Sequence, residues 1–213
     1  MAFRRIAAIG TFAYKYAKRV GRFFPIPAAW FLILTALTFL VLSAAATDQP
    51  TGFDLDGNAI NPLQSNAGRV VVLFFVREDC PVSGRYAPTI RKLSEQHRAE
   101  AHFYLVFPDK SKTPTDIRKY LRDFHYSIPA LRDPDHALVK QAHAQVTPEA
   151  AVFDAKGALI YHGRIDNLYE TFGRSRPAPT THEVEDAIQS AIAGRTLVQQ
   201  DVAAIGCYLS DLQ

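Results

Sequence analysis

The chain has 213 residues, of which 48% are hydrophobic and 21% charged, ordinary proportions for a globular protein with room for one domain and an appendage. Its formal charge of +3 comes from one end: residues 1–47 hold six basic side chains and no acid, and without those six, 18 basic residues face 21 acidic ones. A slightly acidic globular part, with no basic patch and no basic–aromatic alternation, argues against a nucleic-acid partner.

The basic residues Arg4, Arg5, Lys15, Lys18, Arg19 and Arg22 precede an uncharged stretch, 23–47. Within it, residues 28–42 are apolar except for Thr35 and Thr38. A stretch of this length spans a bilayer as a helix. Basic residues ahead of it stay in the cytoplasm, so the C-terminal part is exported, most simply to a periplasm. The small residues Ala44 and Ala46 also fit a signal-peptidase site. Two readings therefore stand: a single-pass anchor with the C-terminal domain outside the cytoplasm, or a cleaved signal that releases it. The chain divides into a basic n-region (1–24), an anchor or signal (25–46), a globular domain (47–195) and a C-terminal tail (196–213).

Residues 47–67 are polar and turn-rich. Asp54-Leu55-Asp56-Gly57-Asn58 reads as a hairpin turn; it opens like a calcium loop but lacks the Glu such a loop needs at its twelfth position. Residues 69–76 are a strand, and 85–98 a helix in which Pro88 should produce a kink. Next come a strand at 102–107 and a helix at 115–124, after Pro114. Residues 128–131 are extended and 135–143 form a short helix. Strands 150–153 and 158–162 form a hairpin. Thr180 and Glu183 read as a capping box that opens a helix to about Ala193, stopped by Gly194. Alternating strands and helices, then a hairpin and a last helix, define an α/β protein with a central mixed sheet flanked by helices.

The chemistry concentrates at Cys80, which lies between the first strand and the first helix. Free N–H groups and the dipole at a helix start favour the thiolate, the reactive form of cysteine. Glu78 and Asp79 oppose it, since like charge disfavours ionisation. The only other cysteine is Cys207, flanked by apolar residues that suggest a tail packed on the domain. In an oxidising compartment one intramolecular pairing is available. It would close a loop worth about 4–5 kcal/mol in a chain-entropy model. A buried thiol and an intermolecular disulfide are the other readings of Cys207. Arg164 and Asp166 read as a salt bridge at the end of the hairpin, and 167–179 as a long loop over the site or toward a partner. His136 reads as part of a turn and helix cap, and His182 as a first-turn residue. With no His/Cys cluster at zinc spacing, no metal and no cofactor is expected.

Four features in order resemble the thioredoxin-like superfamily, specifically its exported redoxin and thiol–disulfide branch. They are an apolar strand leading into Cys80-Pro81-Val82-Ser83, a proline eight residues after the cysteine (Pro88), the pair Thr147-Pro148 just before a strand, and the hairpin before the last helix. The resemblance spans about residues 52–195, and 124–146 resembles the helix-containing insertion of redoxins and peroxiredoxins. It implies a thioredoxin-like fold. It also implies a cis-proline at Pro148 beside the thiol, with Pro81, Thr147 and Pro148 positioning a substrate strand.

The departures narrow the function. Ser83 stands where a dithiol enzyme has its second cysteine, and is expected to donate a hydrogen bond to the Cys80 thiolate. Arg77 stands where peroxidases carry Thr or Ser, and Gly84 where copper carriers have a second Cys. The leading expectation is a thiol–disulfide protein, a possible oxidoreductase acting on protein thiols or disulfides. In it Cys80 attacks, Ser83 assists, and Cys207 or an external thiol resolves. The alternative is a non-catalytic binding or assembly module with a structural Cys80–Cys207 disulfide; peroxidase and copper-carrier readings rank below both.

Overall fold

The run Val70–Phe75 (β3) is buried along its whole length, so it sits at the centre of the sheet with both faces covered. The computed structural model describes residues 51–64, 66–195, 197 and 201–209. The anchor or signal expected at 25–46 lies outside the described residues. Among the described residues, no helix is long and apolar enough to cross a membrane.

β3 pairs in parallel with β4 (Ala101–Phe107), and β4 in parallel with β5 (Ala130–Arg132). On its other side β3 runs antiparallel to β7 (Glu149–Phe153), which forms the expected hairpin with β8 (Leu159–Gly163). β1 (Gly52–Phe53) and β2 (Ala59–Ile60) extend the β5 edge. The turn between them is the expected one: Asp54 Oδ1 accepts from the Asp56 and Asn58 N–H groups at 2.9 and 2.8 Å. At the opposite edge β11 (Asp201–Val202), from the tail, lies parallel to β8.

Alternation along β3 assigns each residue to one face. Val70, Val72 and Phe74 pack with α1 (Pro81–Gln96), α2 (Pro114–Asp123) and α4 (Glu183–Ile192), through residues such as Ile90, Ile117 and Ile188. Val71, Leu73 and Phe75 pack with Leu138 and Val139 of α3 (Ala137–Ala142) and with Leu209 of the tail. One strand thus carries two cores, and the tail completes the second.

Several local expectations need correction. α1 starts at Pro81, four residues before the predicted start, because proline suits the first helical position, where its missing N–H is no loss. Pro88 lies inside the helix, where it was expected. Residues 167–179 contain a small hairpin, β9 (Tyr169–Thr171) and β10 (Arg174–Ser175). The capping box at Thr180 does not form: His182 is the N-cap of α4, and the Glu183 carboxylate is taken by Arg164 and by Thr181 Oγ1 at 2.7 Å. A capping box does form at Thr113 and Asp116, which opens α2. Arg164 does not pair with Asp166, whose Oδ1 instead accepts from Tyr86 Oη at 2.7 Å. His136 caps with no side-chain bond; its ring nitrogen lies 3.1 Å from the Pro108 carbonyl.

Candidate functional site

Cys80 is the N-cap of α1, at the end of the chain leaving β3. Its N–H bonds back to the Arg77 carbonyl at 3.3 Å, and its carbonyl accepts from Gly84 at 3.2 Å. The residue is only 2% exposed. Its Sγ–H donates to the carbonyl of Thr147 at 3.0 Å. The Thr147–Pro148 bond is cis, and Thr147 is fully buried.

The tail returns to this point. β12 (Cys207–Tyr208) pairs antiparallel with β6 (Val146–Thr147), so Cys207 lies opposite Thr147 and Tyr208 opposite Val146. Leu209 N–H continues the ladder to the Gln145 carbonyl at 3.1 Å, and its side chain is 6% exposed. Thr147 Oγ1 donates to the Cys207 carbonyl at 3.4 Å, and Arg77 Nη1 to the Tyr208 carbonyl at 3.2 Å. Both cysteines are free thiols, and each perturbs the ionisation of the other.

The two thiols are electrostatically unequal. Burial pushes the Cys80 thiol up, but hydrogen bonds from the Cys207 side chain and from the Ser83 N–H and hydroxyl outweigh it, so Cys80 ionises below the ordinary thiol value. Burial and the adjacent Cys80 sulfur push Cys207 up, with only Arg77 pulling it down. The pair therefore sheds its first proton at Cys80 and keeps the second on Cys207. Ser83 is fully buried, and its Oγ also lies 3.4 Å from the Arg77 N–H that donates to it.

Glu78 and Asp79 oppose the thiolate less than their charges suggest. Asp79 is gripped by both ends of the Arg77 guanidinium, at 3.0 and 3.1 Å. Burial raises the Glu78 carboxyl toward its neutral form.

Sequence reasoning named Cys80, Pro81, Ser83, Thr147 and Pro148, with Cys207 as the candidate partner whose distance was open; the structure brings Cys207 to Thr147, beside Cys80. It missed Arg77 as the latch on the tail and Glu149 as the support of β6. Glu149 Oε2 accepts from the Gln145 and Val146 N–H groups at 2.7 and 3.1 Å. The signal was an acid at the head of an otherwise apolar strand. Gly206 was also missed: a β-carbon there would meet the Thr147 carbonyl oxygen, so only glycine lets the tail pass. Among the described residues, no group of three or more His, Cys, Asp or Glu side chains gathers in metal-binding geometry. His182 stands at the N-cap of α4, away from this thiol cluster in the chain and without a capping bond.

A mixed sheet flanked by helices, with a cysteine at the first helix start facing a cis-proline, defines a thioredoxin-like protein. The chain belongs to the Redoxin family, whose profile matches residues 43–172. Among solved structures it is similar to an uncharacterized conserved protein from Geobacillus kaustophilus (20% identity, 76% of this chain and 88% of that one, TM-score 0.65). It is similar to a hypothetical protein from Sinorhizobium meliloti (18% identity, 75% and 88%, TM-score 0.65) and to a thioredoxin-like protein from Aeropyrum pernix (20% identity, 77% and 98%, TM-score 0.51). These likenesses concern the fold. Comparison with curated proteins finds no match.

Proposed function

We propose that this redoxin is an exported thiol–disulfide protein in which Cys80 and Cys207 form a reversible disulfide. One observation carries the reading: β12 aligns Cys207 opposite Thr147, whose carbonyl accepts the Cys80 thiol, so both cysteines adjoin one residue. Cys80 supplies the thiolate, Ser83 stabilises it, and Cys207 takes the place of the thiol that a dithiol motif would hold in α1. Pro81 opens the helix beside Cys80, and Thr147, before Pro148, receives both the Cys80 thiol and the tail strand. The partner class is a protein thiol or disulfide. The charge asymmetry of residues 1–47 supports export, either anchored in the membrane or released into a periplasm.

The test is the oxidation state of the purified full chain after treatment with diamide. The reading expects loss of two hydrogens by intact mass, and their return with dithiothreitol. If both thiols remain alkylatable after oxidant, the reading is wrong.

A second reading, a structural disulfide in a binding module, draws support from Leu209, which anchors the tail in the second core. It expects a bond that dithiothreitol reduces only after unfolding. Peroxidase and copper-carrier roles have less behind them. Arg77 spends its guanidinium on Asp79 and the tail, and a side chain at Gly84 would meet the ring of Phe124 at 2.9 Å.

A further inference from the structure

The two cysteines differ in exposure as well as in acidity. Cys80 is 2% exposed and closed in by Thr147, Ser83 and the tail itself. Cys207 is partly exposed. It lies on β12, whose one strand partner among the described residues is β6, with Arg77 Nη1 holding the Tyr208 carbonyl. Thiol–disulfide exchange runs in line: the incoming thiolate approaches one sulfur from the side opposite the other, and the rate depends on which sulfur can be reached.

Resting on the disulfide reading above, we propose that an external dithiol attacks the Cys80–Cys207 disulfide at the Cys207 sulfur, with Cys80 as the leaving group, so that the protein acts as a disulfide donor. In the first step a partner thiolate bonds to Cys207 Sγ, the Sγ–Sγ bond breaks, and its electron pair leaves on Cys80. In the second step the partner's other thiolate attacks the partner sulfur of the mixed disulfide. Cys207 is released and takes up a proton. The partner has lost two electrons and two protons, and the protein holds a reduced Cys80–Cys207 pair. The site suits each half. The Ser83 N–H and hydroxyl wait for the Cys80 thiolate, and a thiolate stabilised in this way is a good leaving group. The reverse reaction is handicapped twice. The accessible thiol, Cys207, holds its proton to high pH, and the thiol that ionises easily is buried. Cys80 was expected to meet the substrate; the geometry makes it the inner sulfur and Cys207 the outer one.

The experiment uses the full chain, oxidised with diamide and freed of reagent. It is mixed with reduced glutathione as a monothiol probe, quenched at early times with N-ethylmaleimide and mapped by peptide mass spectrometry. The proposal expects glutathione on Cys207 and maleimide on Cys80, with at least about a tenfold excess over the opposite pattern at the earliest quench. Glutathione predominantly on Cys80, or evenly on both, overturns it while leaving the disulfide reading intact. Absence of the disulfide before glutathione is added overturns that reading, and this proposal with it.

Discussion

A β-carbon built on Gly206 would stand 2.1 Å from the carbonyl oxygen of Thr147. The same carbonyl accepts the Cys80 thiol. The tail thus brings Cys207 up to Cys80 only because the residue before it, Gly206, has no side chain.

Gly206→Ala should therefore push β12 off β6 and take Cys207 away from Cys80. The expected cost is about 1–3 kcal/mol of stability, as for an overpacked contact. The yield of diamide-induced disulfide should fall severalfold while the rest of the fold persists. An unchanged yield, read by intact mass, would show that the contact is not needed.

The pH dependence of the reduced pair has a definite sign. Cys80 ionises below the ordinary thiol value, so its contribution to stability is present at alkaline pH and is lost as pH falls through its lowered folded value. Cys207 is raised to about 12, so its contribution is fully present below its unfolded value and is lost as pH rises from there through the folded value of about 12. Between the two, the pair holds one proton. Thiolate ultraviolet absorbance should therefore show one early ionisation and one very late one. Ser83→Ala should move the early one toward alkaline pH by the equivalent of about 1 kcal/mol, the loss of one hydrogen bond. Coincidence of the two profiles would remove Ser83 from the site.

Arg77→Met keeps the bulk of the side chain but loses the bond to the Tyr208 carbonyl and the grip on Asp79. Amide exchange at Leu209, whose N–H closes the ladder to Gln145, should speed up by roughly tenfold, the equivalent of about 1 kcal/mol of latch. Unaltered protection at Leu209 would mean that core packing alone holds the tail.

Glu183 tests the corrected ion pair. Burial pushes its carboxyl up, but the Arg164 guanidinium and the Thr181 hydroxyl prevail, and it ionises below the usual carboxylate value. Its stabilisation is present above the unfolded value and lost as pH falls through the lowered folded one. The stability gap between wild type and Glu183→Gln should be about 1 kcal/mol near neutrality and should close in acid, as followed by urea unfolding. A gap that does not depend on pH would rule out the ionic origin.

Much of the fold was legible because local patterns and tertiary demands agree here. The run Val70–Phe75 had to be central, since every residue in it is apolar, and Pro88, Pro148 and the β7–β8 hairpin gave the order of the family. Where two local signals competed, the sequence misled. Glu183 fitted a capping box with Thr180, yet Arg164 offered a full charge in partly buried surroundings and Thr181 stood closer. Asp166 looked like a partner for Arg164, but the buried Tyr86 hydroxyl needed an acceptor.

By itself the sequence determined the chemistry of the site. It supplied a cysteine at a helix start, a serine in place of its usual neighbour, and a single further cysteine on the same side of the basic, apolar stretch of residues 1–47. Whether that second cysteine meets the first was a question of three-dimensional distance, and no local pattern encodes contact between residues 80 and 207. The tertiary structure decided it through separated contributions: Gly206 clears the Thr147 carbonyl, Leu209 fills the second core, Arg77 holds the Tyr208 carbonyl, and Glu149 braces the strand that receives the tail. The unequal exposure of the two sulfurs arises in the same packing, because the tail that brings Cys207 to Cys80 also covers Cys80.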